Sequence, residues 1–434
     1  MTEPTESART VGTEIQRLRK AAGLSQPQLG ARVYQSRAQV SHWEANRRNI
    51  SSQQLAELDT ALHANGQLVE FVAGTSGLSY HPDWTESLRT ITNMWHHDVS
   101  RRDLIRAAAY SPIALAAPLK GWGQATDNPN GTGIRRIGTP EIETIRTVAN
   151  AFRSLDNRFG GLSARDGVVA FLDMEVSPLL KHGQYSNAIG GDLLSAAAEM
   201  THLAGWMSYD SGMHGAAERY FIQSLRLADA ARDLQLGIEI LAGMAHQAAH
   251  LGHGSEAVQL ANTARRAALD HGVHVLVAEA AVMEAHGHAI QGNGTNCARL
   301  LLEAEQALDR ADRSDDPKWV AYFNDAYLSA KRGHCLLALG DTGGAIEAAR
   351  RSLDMDDNYV RGRMFNLSLL ATSLASAGDP DEACAHGHEA LALTTGLRSS
   401  RAHTYIDRLQ TKLADYDITA VNEFSAAVAA QAVE

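Results

Sequence analysis

The stretch LSQPQLGARVYQSRAQVSHWEANRR, residues 24–48, interleaves apolar residues with bases and amides. Ser25 and Ser36 each stand three residues before a glutamine, Gln28 and Gln39. In that pattern a hydroxyl accepts from one orphan N–H of a helix start while the amide reaches back to another. Outward from the stretch the spacing recurs at Thr13/Gln16 and Ser51/Gln54. The pairs predict helices over 13–22, 26–33, 37–44 and 52–63, with only Tyr34-Gln35-Ser36 between the second and third. A helix, a three-residue turn and another helix make a helix-turn-helix.

The charge distribution points the same way. The chain carries a formal net charge of −11, yet residues 9–48 hold eight Lys and Arg against only Glu14 and Glu44. Such a surplus marks a segment that meets phosphates. An acidic remainder would avoid DNA and leave the contact to one face. The plainer reading of these residues is a four-helix scaffold with a solvated basic face.

Gly23-Leu24-Ser25-Gln26, with Leu29, Ser36, Val40, Ser41, Trp43 and Glu44, resembles the lambda-repressor-like (XRE) helix-turn-helix family over residues 12–65. The resemblance implies that the second helix of the motif enters the major groove with its early residues at base edges. By position, Arg37, Ala38, Gln39 and His42 then face bases, while Gln26 and Ser41 sit near phosphates. Arg pairs with guanine and Gln with adenine through two hydrogen bonds each. Arg47 and Arg48, just past the helix, would anchor the backbone. Tyr34 stands where the family has Gly in the turn. A non-glycine residue at positive φ is uncommon, so this turn is either strained or opened differently.

At 434 residues, 44% apolar and only 6% aromatic, the chain suits closely packed helices in two or more domains, and no long alternating strand pattern occurs. An all-α fold is expected. Cys297, Cys335 and Cys384 are odd in number and far apart, which indicates neither a disulfide framework nor a thiolate zinc site. No signal peptide opens the sequence, so a cytoplasmic protein without membrane contact is expected. Arg101-Arg102 and the apolar run to Ala117 lie internally and are too short to span a bilayer. Arg outnumbers Lys 33 to 6, which fits a GC-rich bacterial genome.

Residues 1–74 form the expected DNA-binding domain, 75–139 a helical connector and linker, and 140–434 a repeat domain. In the connector one helix carries Trp84, Leu88, Ile91 and Trp95, and another begins after Ser100, with Ser111-Pro112 and Pro118 as breakers. Residues 119–140, LKGWGQATDNPNGTGIRRIGTP, have the composition of a loop. Beyond them a Gly precedes a small residue by five positions six times: Gly183/Ala188, Gly212/Ala217, Gly252/Ala257, Gly292/Cys297, Gly340/Ala345 and Gly378/Ala383. Successive spacings are 29, 40, 40, 48 and 38 residues. Gly205, Ala245, Ala285, Gly333 and Ala371 stand seven residues before five of these glycines. A period of this length means stacked helical hairpins. The pattern resembles the tetratricopeptide repeat, best over Gly212 to Leu227, although its periods are longer. The expected architecture is a helix-turn-helix domain followed by a tetratricopeptide-like α-solenoid.

Register predicts what lines the groove. Trp206, His246, His286 and His334 stand six residues before loop glycines, and Glu199, Glu239 and Glu279 stand seven residues before the first three of them. Seven residues are nearly two turns, so both sets share a face. Trp206, Tyr209 and Asp210 would close one end. Carboxylates beside imidazoles would raise the histidine pKa values, and a cationic or donor-rich ligand follows. His246 and His250 have the i, i+4 spacing of a helical metal pair but lack the glutamate of HExxH, and no third ligand is evident. No phosphate loop, nucleophile elbow or dinucleotide glycine set occurs. No cofactor, metal or catalytic residue is therefore expected.

A DNA-binding head followed by a solenoid with a polar groove resembles the peptide-responsive RRNPP-type regulators. The resemblance implies a homodimer on a palindromic double-stranded DNA operator, controlled by a small peptide or other small-molecule signal. The competing reading is an adaptor whose repeats hold another regulator.

Overall fold

The computed structural model describes residues 11–45, 52–62, 64, 77–100, 106, 108–124, 130–314, 316–356 and 359–431. Among the described residues the head holds four helices, α1 (Val11–Ala21), α2 (Gln26–Arg32), α3 (Arg37–Glu44) and α4 (Ser52–Ala61). The starts of α2 and α3 fall where their caps put them. The Ser25 N–H donates to Gln28 Oε1 at 2.8 Å, and Ser36 Oγ accepts from the Gln39 N–H at 3.1 Å. Helix α1 starts two residues before Thr13, and Ser51 lies outside the described residues. Tyr34 takes φ 52°, so the turn keeps the left-handed geometry of a glycine without having one. That costs about 1–2 kcal/mol, and a ring 94% exposed recovers little of it by packing. Ile15, Leu29, Val33, Val40, Trp43 and Leu58 make a hydrophobic cluster of their own, joined from the connector by Ala108.

The connector contributes α5 (Trp84–Ser100) and α6 (Ala116–Gly121). Ile91, Met94 and Trp95 of α5 are buried in the same core as the hairpins that follow. Next come α7 (Thr139–Phe159), α8 (Arg165–Phe171) and α9 (Ser177–His182), with a π-helical segment, Leu172–Val176, between the last two. Asp98 of α5 is fully enclosed, accepting from Arg165 at 3.2 Å and from the Tyr220 hydroxyl at 2.6 Å. This ties the connector to the hairpins.

The stretch expected to be loop holds two short strands, β1 (Gly131–Thr132) and β2 (Arg135–Arg136), which flank β3 (Gly183–Tyr185). Strand β1 runs antiparallel to β3 and β2 parallel to it. The glycines permit this: a Cβ on Gly133 would lie 2.0 Å from the His182 carbonyl oxygen. Gly183, expected as the first hairpin glycine, is instead extended at φ −73° and opens β3. Its neighbour packing excludes a side chain, and its place in the repeat pattern is coincidental.

Six hairpins follow. They pair α10 (Asn187–Asp210) with α11 (His214–Ala231), α12 (Leu234–His250) with α13 (Gly254–Asp270), and α14 (His274–Ile290) with α15 (Gly294–Arg310). The rest pair α16 (Asp325–Ala338) with α17 (Thr342–Arg351), α18 (Val360–Ala377) with α19 (Pro380–Thr394), and α20 (Ser400–Leu413) with α21 (Thr419–Gln431). Gly212, Gly252, Gly292, Gly340 and Gly378 all take positive φ between 72° and 90° at the hairpin turns, a geometry that glycine adopts without a Cβ clash. At Gly205 a Cβ would stand 2.6 Å from the Phe221 ring. The small residue is what lets α10 and α11 approach. The chain is thus an all-α molecule, a helix-turn-helix head followed by an α-solenoid.

The solenoid curves until its ends meet. Arg361 of α18 bonds Asp156 of α7 at 2.8 Å and Asp210 of α10 at 3.0 Å. Ser399, just before α20, donates to Asp210 at 3.0 Å, and the Arg398 N–H donates to the Phe159 carbonyl at 2.8 Å. Among the described residues no helix is long and apolar enough to cross a membrane.

Candidate functional site

Helix α3 places Arg37 and Ala38 at its exposed start, with Gln39, Ser41 and His42 half-buried behind them. The acids of this region are already engaged. Glu14 accepts from Arg17 Nε at 2.9 Å, and Glu44 accepts from Arg19 Nη2 at 3.0 Å. Burial pushes the Glu44 carboxyl up, but hydrogen bonds from Arg19 and Gln26 outweigh it and hold the group below its usual range. It stays an anion, matched by Arg19. Gln26 Nε2 donates to Glu44 at 2.9 Å, so its amide is oriented from within the head. Lys20 and Arg37 are exposed and without an ion-pair partner among the described residues, which leaves the head with unpaired positive charge. Arg47 and Arg48 lie outside the described residues.

In the solenoid the predicted groove residues separate into two levels. His246 and His250 of α12, His286 of α14 and His334 of α16 line one cavity of about 560 Å³, closed on its far side by α20. The rings form a continuous series. His286 stacks on His334 at 6.0 Å, and Tyr405 of α20 contacts His334 at 5.8 Å and His250 at 6.5 Å between centroids. Trp206 stands 5.3 Å from His246, and Tyr209 lies 5.4 Å from both His246 and His250, behind the cavity wall.

The carboxylates lie deeper and are not presented to this cavity. Glu239 accepts from the Tyr322 hydroxyl at 2.9 Å, and Glu279 lies on the same hydroxyl. Tyr322 comes from a strap, residues 311–324, that crosses between α15 and α16 and buries Val320 and Phe323 in the core. Glu199 pairs with Arg146 at 3.3 Å. Asp210 accepts from the Gly161 N–H at 2.9 Å and holds the closure described above. Burial, with the facing Glu279, pushes the Glu239 carboxyl far above its usual range, and burial raises Glu279 too. A single proton shared by neighbouring buried carboxyls is the expected state.

The histidines therefore behave opposite to the expectation that carboxylates would raise them. Burial, then the positive charges of Lys331 and Arg401, pushes His246 well below the usual range. Burial and Lys331 take His286 down to about 3, and burial with Arg401 takes His250 to about 2. His334 is depressed likewise. The cavity is lined by neutral imidazoles.

The cations and the tyrosine of this cavity escape the register argument: Lys331, Tyr405, Arg408 and Lys412. Lys331 precedes His334 by three residues, which puts both on one face of α16. The other three repeat at i, i+3 and i+7 on α20, a visible stripe whose partner only the closure of the solenoid supplies.

Residues 10–72 match the helix-turn-helix domain family. No curated protein and no solved structure matches the chain. With a matched helix-turn-helix domain at its head, the chain is a DNA-binding regulator.

Proposed function

We propose that the protein is a homodimeric transcription regulator whose affinity for a palindromic operator is set by a small signal bound in the solenoid cavity. The observation that carries this reading is the open start of α3, where Arg37 is exposed and in no ion pair among the described residues, while Glu14 and Glu44 of the same head are occupied by Arg17 and Arg19. Two such heads on a two-fold axis would read half-sites about one helical turn, roughly 10 bp, or a multiple of it apart.

The solenoid supports the control arm. Its tetratricopeptide-like hairpins, the cavity of about 560 Å³ and the polar lining resemble the RRNPP-type arrangement, in which ligand entry changes how a dimer presents its heads. The cavity size suits a small ligand. Arg outnumbering Lys 33 to 6 fits an actinobacterial chain. No catalytic role is assigned to the cavity, and the acidic remainder of the chain would repel DNA and leave the contact to the head.

Selection from a pool of random duplexes with the full-length protein tests the reading. A recovered palindrome with two half-sites supports it. An unenriched pool, or a single asymmetric site bound by a monomer, counts against it.

A further inference from the structure

We propose that the cavity between the histidine row and α20 binds an anionic small molecule, recognised through a carboxylate or phosphate group. This rests on the reading of the cavity as the regulatory site and names the chemistry of its signal.

The chain holds 50 acidic and 39 basic side chains, yet no Asp or Glu lines this cavity, whereas Lys331, Arg408 and Lys412 do. None of the three is in an ion pair among the described residues. Lys331 instead lies over the Tyr327 ring at 5.4 Å, and Arg408 over Tyr405 at 5.8 Å. Lys331 is only 6% exposed, at the base of the cavity, with Arg408 and Lys412 exposed at its rim. A buried ammonium without a direct ion-pair partner is costly, and an anion entering the cavity would supply one. His246 and His286 each bring a ring nitrogen, Nδ1, that is buried and has no hydrogen-bond partner. A neutral imidazole can donate from one nitrogen to such a ligand. Glu279 faces Lys331 but makes no ion pair with it, its carboxyl being held with that of Glu239 on Tyr322, and Glu199 is paired with Arg146.

Proton uptake follows. The groups facing Lys331 are His246 and His250 from α12, Glu279 and His286 from α14, Arg401 from α20, and His334 and Cys335 on its own helix. Burial, then Arg401, lowers the Lys331 ammonium to about 7. A bound anion favours the charged forms of Lys331 and the imidazoles. Affinity therefore rises as pH falls from about 8 to 6, opposite to the trend that a cationic ligand would show.

Calorimetric titration of the full-length protein with citrate, pyrophosphate, and tetra-alanine as free acid and as C-terminal amide tests the site. At least one anion should bind saturably, more tightly at low pH. Lys331→Met and Arg408→Gln should each weaken it about tenfold or more, and Arg310→Gln, exposed and remote, should leave it unchanged. Preference for the tetra-alanine acid over its amide would identify a peptide C-terminus as the source, and tighter binding of citrate or pyrophosphate a small acid. Arg408 is exposed, so its variant remains informative should Lys331→Met unfold. No saturable binding by any of these anions, or equal affinity in both variants, overturns the site. An extract that still shifts DNA binding in both variants, with no anion bound, would sink the anion site alone. Anion binding without any effect of extract on DNA would sink the regulatory reading alone.

Discussion

At Arg37 the guanidinium is exposed at the first position of α3, ahead of the half-buried Gln39 and His42. An arginine at a base edge contributes to discrimination, whereas one at a phosphate contributes equally on all sequences. Arg37→Ala should therefore cost about 1–3 kcal/mol on the operator and relax preference at one base pair. Equal loss on operator and random DNA, measured by fluorescence anisotropy, would move Arg37 to the backbone. Tyr34 carries a second residue-scale prediction. Its φ of 52° strains a ring that packs on little, so Tyr34→Gly should stabilise the protein by about 1 kcal/mol in denaturant titration. A loss of stability would show that the tyrosine makes contacts beyond its backbone. At this scale the caps at Ser25 and Ser36 were readable because capping depends on residues three apart. Lys331 was not, because its isolation from carboxylates depends on elements far away in the chain.

Among the elements, the histidine row and the glutamates sealed beneath the strap make opposite contributions to pH dependence. In the unfolded chain an imidazole protonates near about 6.5, while His286 in the fold resists charging down to about 3. The unfolded state binds more protons in that window, so this group's contribution to stability falls as pH drops below about 6.5. His286→Gln should accordingly gain on the wild type by up to about 1.4 kcal/mol per pH unit on acidification. Glu239 runs the other way. Its folded pKa is raised, so the stability it contributes is present below about 4.5 and lost as pH rises through the folded value. Glu239→Gln, which keeps the shape of the protonated acid, should gain on the wild type with rising pH. Urea titrations at several pH values measure both slopes, and curves parallel to the wild type would contradict the assigned protonation states. The hairpins and their glycines were visible as a repeat. The strap was visible only as the 48-residue spacing between Gly292 and Gly340, eight more than the preceding interval, with nothing local to show that Tyr322 would seal the glutamates. The small sheet escaped notice because its strands are two or three residues long and are held by glycine contacts across the chain.

On the scale of the whole molecule, closure of the solenoid turns an open groove into a cavity. The half-buried Arg361 pairs with the buried acids Asp156 and Asp210 where the ends meet. Removing one partner leaves the others as uncompensated buried charges, at a cost of about 3–5 kcal/mol. Arg361→Met should lower the unfolding temperature, enlarge the radius of gyration in small-angle scattering and release Tyr405 from the histidine row. An unchanged radius with intact ligand binding would mean that packing, not this ion pair, closes the ring. Sequence periodicity indicates a stack but not how far it turns, because curvature accumulates from small rotations at each hairpin. The central claim is that occupancy of this cavity sets the DNA affinity of the head. Anisotropy of a labelled operator, recovered from the random pool and titrated with full-length protein with and without culture extract, tests it most directly. The account predicts a shift in operator affinity that is lost in Lys331→Met, while an operator affinity indifferent to extract would contradict it.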